Sequence, residues 1–149
     1  MVIVVVVVDI EVGGEGSFMS EIYIRLVVAK NHTDSGRNMG LFMAMQELRE
    51  KNELYDYEED LVNELHHWFD IYLEAPPVQS SESNYYNTPM AISWFKSSAK
   101  KHISKMREFG YILEAHGIYV DEIKTERPGK ILYEDSYQIA AIPFKDTFI

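Results

Sequence analysis

The stretch from Gly117 to Ile142, GIYVDEIKTERPGKILYEDSYQIAAI, decides the fold class of this chain. Outward from its proline–glycine pair run three short segments rich in Ile, Val and Tyr: Ile118 to Lys124, Lys130 to Tyr133 and Gln138 to Ile142. Such residues suit a pleated, half-buried surface, so all three read as strands. Pro128 and Gly129 form the first turn between them, and the polar triplet Glu134, Asp135, Ser136 forms the second.

Upstream the hydrophobic period changes from strand to helix. Ala99, Ile103, Met106 and Leu113 recur on one helical face from about Ser97, and Gly117 supplies the left-handed position that ends this third helix. Leu61, Leu65, Trp68 and Tyr72 follow an i, i+4, i+7, i+11 stripe, opened by Asp56 and Glu59 in capping-box spacing, which predicts a second helix ending near Leu73. Leu41, Met45 and Leu48, with Phe42 alongside, mark a first helix up to about Lys51. Before it, Ile22, Ile24, Leu26 and Val28 alternate with Tyr23 and Arg25 in the period-two pattern of a strand.

Val2 to Val8 is continuously apolar and β-branched, and it continues into Ile10 and Val12 alternating with Asp9 and Glu11. It reads as a strand covered on both faces, joined to the next as a hairpin through Gly13, Gly14 and Gly16. The predicted architecture is α+β, a mixed or antiparallel sheet of about five strands with three helices packed on one face. Residues 19–149 make the single domain; residues 1–18, the Val-rich strand and glycine loop, differ from it in composition, and Met19 is an alternative start.

With 149 residues and 46% hydrophobic composition, the chain has enough apolar surface for one core. Its net charge of −10 repels phosphate backbones, so general nucleic-acid binding is not expected. The absence of cysteine removes disulfides, thiolate zinc sites and thiol nucleophiles, and suits the reducing cytoplasm. Val2 to Val8 is too short to span a bilayer, so no membrane association is expected.

Charge is segregated along the chain. Glu47 to Glu64 holds eight acidic and two basic residues, whereas Lys96 to Arg107 holds five basic residues and no acidic one. These patches could dock the second and third helices charge to charge or face a partner, and the plainer reading is two solvated faces. Asp60, Glu64 and His67 share one side of the second helix at ligand-capable spacing. The second Glu-x-x-His pair that a di-iron site requires is missing, however, so no metal is expected and the residues read as a solvated face with His66 nearer the core edge. Gly14 and Gly16 lack the third glycine and following helix of a dinucleotide fingerprint, and no phosphate loop, Gly-x-Ser-x-Gly elbow or His-Glu-x-x-His occurs. No cofactor is called for.

Several residues nevertheless have ligand chemistry. Trp94, Phe95 and Lys96 precede the third helix, whose free backbone N–H groups with Lys96 would make an anion site, and His102 in its second turn is a candidate acid or base. The plainer reading makes the aromatic pair core anchors and His102 an edge histidine. Arg37 and Arg127 lie on turns, where two guanidinium forks would suit phosphate or carboxylate if they converge. Glu134, beside Asp135, is a candidate general base, although adjacent turn carboxylates usually face water. The stretch from Glu74 to Ala91, with Pro76, Pro77, Pro89, Tyr85 and Tyr86, is long for a passive connection and reads as a binding loop or lid.

The segments AISWFK (Ala91 to Lys96) through His102, Ile103 and Met106, and RPGKILYEDSYQIAAIPF (Arg127 to Phe144), carry a family resemblance, joined by Gly36, Arg37, Met39 to Phe42 and Trp68. Over about Ile22 to Thr147 the chain resembles a widespread group of small bacterial and mobile-element proteins. That resemblance implies single-domain architecture and attaches no activity to these residues.

Two functional expectations follow. The first is a small cytoplasmic accessory or inhibitor domain that binds a protein partner, in a phage, defence or toxin setting, expected from the missing catalytic motifs, the segregated charge and the tyrosine-bearing loop. The second is an enzyme or sensor for a phosphorylated small molecule or nucleotide, with Arg37, Lys96 and Arg127 as anion clamps, His102 as proton carrier and Trp94 or Tyr85 as stacking surface. A homodimer is also expected if Val2 to Val8 lies at a sheet edge, where an apolar strand invites its own copy.

Overall fold

The computed structural model describes residues 21–31, 38–77 and 91–149. In chain order these form β1 (Tyr23–Asn31), β2 (Asn38–Gly40), α1 (Leu41–Glu50), α2 (Asp56–Tyr72), β3 (Ile92–Lys96), α3 (Lys100–Ala115), β4 (Val120–Thr125), β5 (Lys130–Glu134) and β6 (Gln138–Ile142). The described strands make one six-stranded sheet in which every pairing is antiparallel. The α+β architecture read from the sequence holds. The Val2 to Val8 strand, its glycine turn, the division at residue 18 and the homodimer argued from that strand fall outside the described residues.

β1 organises the sheet because both of its edges are used. β4 runs along one edge from Tyr23↔Thr125 to Val28↔Val120. β3 pairs with Tyr23 and Ile24, and β2 with Val27, Val28 and Asn31. Since β4 already occupies the other edge at both places, β2 and β3 must lie end to end along the same side of β1. β6 then pairs with β3, and β5 with β6.

The strand period divides β1 between two apolar layers. Ile24, Leu26 and Val28 face all three helices, in a core that includes Met45 from α1, Val62 and Phe69 from α2, and Phe109 and Leu113 from α3. Tyr23 and Val27 point to the opposite face with Ile92, Trp94, Ile123, Ile139 and Ala141, where Ile149 also packs. On the outer side of the helical layer the Phe42 ring, itself exposed, meets the buried Phe69 and Phe109 edge-on at 5.3 Å each and stacks on His66.

Three local readings are corrected. The aromatic pair read as lying just before the third helix, and given no element of its own, belongs to strand β3, which places Trp94 and Phe95 on opposite faces, and α3 begins at Lys100 rather than near Ser97. The cap of α2 is shifted by one residue: Glu58, not Glu59, reaches back to accept from the backbone N–H of Tyr55 at 2.9 Å. The core stripe of α2 is Glu58, Val62, Leu65 and Phe69. Of the expected stripe only Leu65 is buried, while Trp68 is half-buried and Leu61 and Tyr72 are exposed. The Pro128–Gly129 turn stands as read. Gly129 has φ 129° and any Cβ there would lie 2.0 Å from the Ile142 carbonyl oxygen, so no other residue fits.

α2 and α3 are antiparallel neighbours joined at both ends by a histidine of α3 or its cap. His116 Nε2–H donates to Glu58 Oε1 at 2.8 Å where α2 begins, and His102 Nε2–H donates to the Tyr72 carbonyl at 2.9 Å where α2 ends. The second junction opens into the candidate site.

Candidate functional site

A cleft of about 410 Å³ lies between the end of α2, the start of α3 and the turn before β6, lined by Trp68, Tyr72, His102 and Tyr137 with Ser98 to Lys101 along its rim. His102 is 5% exposed. Its ring stacks on Tyr137 with centroids 4.2 Å apart and meets Trp68 edge-on at 4.9 Å, and the Trp68 and Tyr72 rings are themselves 4.9 Å apart. Because a carbonyl oxygen can only accept, the bond to Tyr72 assigns a proton to Nε2 and leaves Nδ1 as the ring's other polar atom.

The far wall is held by Asp135. Its Oδ1 accepts from the backbone N–H groups of Tyr137 and Gln138, and its Oδ2 accepts from the Tyr133 hydroxyl and Gln138 Nε2. Burial pushes this carboxyl upward, but those donors outweigh it and hold the group below its ordinary value. Gln138 Nε2 also donates to the Glu74 carbonyl at 2.6 Å, fastening the chain that leaves α2 to the β5–β6 turn. Tyr72, through its carbonyl, and Tyr137, through its ring, thereby both meet His102.

The rim is electropositive. Lys100 and Lys101 are exposed in the first turn of α3, which has no acidic residue and no side-chain cap at Ala99. A helix N-terminus left this way keeps its positive end directed at solvent.

The structure separates the sequence-derived candidates. His102 lines the cleft. Phe95 faces the helices near His102, so Lys96, one residue on, projects to the opposite side of the sheet, where its ammonium pairs with Glu134. Hydrogen bonding to Glu134 raises the Lys96 pKa, against the lowering effect of burial. Trp94, expected as a stacking surface, is 1% exposed on that opposite face, with the Arg25 guanidinium 6.0 Å from its ring, and offers no face to a ligand. Arg127 is exposed, 3.3 Å from Asp146 and 4.7 Å over the Phe144 ring, and steadies the C-terminal tail. No hydrogen bond, ion pair or ring contact among the described residues joins Lys96, Arg127 and His102. Arg37 and Tyr85 lie outside the described residues.

Sequence reasoning missed Trp68, Tyr72 and Tyr137. The first two were assigned to a core stripe, and Tyr137 followed a polar turn with nothing to single it out. Asp60, Glu64 and His67 are exposed on α2, and among the described residues no three His, Asp or Glu side chains stand close enough to hold a metal ion. No described helix is long and apolar enough to cross a membrane. Fold and site define an α+β domain with an aromatic, cation-rimmed cleft beside its helical layer. Comparison of the chain with protein-family models, curated proteins and solved structures finds no match.

Proposed function

We propose that this chain is a small cytoplasmic protein-binding domain, an accessory or inhibitor that docks its partner across the outer side of α2. One observation carries the reading. Tyr57, Leu61, Trp68 and Tyr72 form a stripe on the outer flank of α2, displaced from its buried stripe, and Tyr57 and Tyr72 are 64% and 53% exposed. A row of aromatic and aliphatic side chains left outside the buried face of a helix marks an association surface.

Charge selects the partner. α2 contains six carboxylates and no lysine or arginine. Glu58 is engaged by His116 and Glu59 by Arg49, while Asp56, Asp60, Glu64 and Asp70 project into solvent. The complementary surface is apolar at its centre and basic at its rim, an arrangement that speeds encounter and fixes orientation. The enzyme or sensor reading loses support from the separate partners of Lys96 and Arg127.

The test is capture of the partner from the native host, followed by reconstitution with both purified proteins. Leu61→Asp should weaken the complex by about tenfold or more, and Asp60→Lys with Glu64→Lys should slow association and flatten its salt dependence. Recovery of the chain alone, or a complex indifferent to both changes, overturns the reading.

A further inference from the structure

We propose that the cleft beside the start of α3 binds a small aromatic phosphate, with the ring against Trp68, Tyr72 and Tyr137 and the phosphate on the first turn of α3 between Lys100 and Lys101. This does not rest on partner docking: the carboxylates, Tyr57 and Leu61 take no part in it, and only Trp68 and Tyr72 belong to both surfaces.

The anion half follows from which donors are already used. At the start of α3 the Ala99 N–H bonds the Lys96 carbonyl, the Lys100 N–H bonds Ser98, and the Ile103 N–H bonds Ala99. The N–H groups of Lys101 and His102 are the first-turn donors left over. Lys100 and Lys101 belong to the same turn, no ion pair among the described residues engages either of them, and the Asp135 carboxylate on the far wall is occupied by its own four donors. In a protein of net charge −10 this is where the local sign is reversed. Two backbone donors and two cations match the several oxygens of a phosphate better than a single acceptor.

The aromatic half follows from the walls. Three rings and the buried His102 imidazole line the cleft, and no described residue engages His102 Nδ1, so a polar atom accompanies the apolar walls. The volume of about 410 Å³ is at the small end for ligand sites, which restricts the ligand to mononucleotide size or below. Stacking on such rings tolerates many planar groups, so the chemistry recognised is a ring carrying a phosphate.

The full chain is titrated with phenyl phosphate and with adenosine monophosphate, followed by amide and indole NMR shifts; inorganic phosphate, phenol and adenosine serve as half-ligands. Saturable shifts are expected at the Lys101 and His102 amides and the Trp68 indole. Each half-ligand should bind about tenfold more weakly or worse, the loss expected when stacking or the anion contact is removed. Tyr137→Phe should retain binding and Tyr137→Ala lose it. Lys100→Ala with Lys101→Ala should weaken the aryl phosphates and reduce the salt dependence. Absence of saturable shifts overturns the proposal, as does inorganic phosphate binding as tightly as the aryl phosphates, which would mark a helix end that attracts any anion. Shifts confined to amides away from the cleft overturn it too.

Discussion

The two ends of the α2–α3 pair use the same residue type in opposite ways. At the end where α2 begins, His116 meets a buried carboxylate, Glu58, which also accepts from the Tyr55 N–H, so the junction is closed by two hydrogen bonds to one carboxylate. At the other end His102 meets only a backbone carbonyl, and the rest of its surroundings are aromatic rings that leave a cleft. The role of each histidine is set by what accepts its proton. A carboxylate makes a clasp that responds to pH, whereas a carbonyl consumes one ring nitrogen and leaves the other for something else.

The largest effect should come from removing the packing that both ends share. Phe109 is fully buried midway along α3, against Phe42, His66 and Phe69. Phe109→Ala should cost about 3–5 kcal/mol in urea unfolding, because the surrounding rings cannot collapse into the space. A loss below about 1 kcal/mol would mean that the helices are held by their ends and not by this centre.

Glu58→Ala should come next, at about 2 kcal/mol, since it leaves the His116 ring and the Tyr55 N–H without their acceptor. The same end should carry an acid response. Burial acts to raise the Glu58 pKa, but the Tyr55 N–H and His116 outweigh it and hold the carboxyl below its ordinary value in the folded chain. The unfolded chain therefore binds the proton more tightly. The contribution is fully present above the unfolded glutamate pKa and fades as pH falls through the folded one. The stability gap between the native chain and Glu58→Gln should narrow on acidification, and a gap that stays constant through the acid limb would remove the clasp.

At the cleft end the effects should be smaller. His102→Phe keeps a ring for Tyr137 and Trp68 to pack on and gives up the bond to the Tyr72 carbonyl, a loss of about 1 kcal/mol by chemical denaturation. If it matches Glu58→Ala, the two ends are equivalent in energy and the carboxylate adds nothing over the carbonyl. Smallest of all should be Lys105→Ala, which removes an ammonium 5.8 Å from the Trp68 ring. About 0.5 kcal/mol is expected for a half-buried pair at this distance, with the Trp68 fluorescence shifting more clearly than the stability.

Much of the architecture was legible as sequence, because period and punctuation act locally. The alternation from Ile24 to Val28, the helical spacing from Ile103 to Leu113 and the turn at Pro128 and Gly129 each need only a few consecutive residues to declare themselves. β3 was not legible for the same reason. ISWFK is five residues with no clear period, and it is a strand because β1 and β6 flank it.

What tertiary structure alone decided is which of two equally regular faces is buried. Along α2 the rows Glu58, Val62, Leu65, Phe69 and Leu61, Leu65, Trp68, Tyr72 both satisfy the helical period. Hydrophobicity by itself favours the second, since the first begins with a carboxylate. Glu58 can be buried because His116, fifty-eight residues later in the chain, supplies its partner. With Glu58 inside, Trp68 and Tyr72 are rotated out to meet His102 and Tyr137. Periodicity reports which side chains share a face, but the free energy of burying that face depends on groups brought to it from distant sequence, so the core row and the cleft were settled together only in the folded chain.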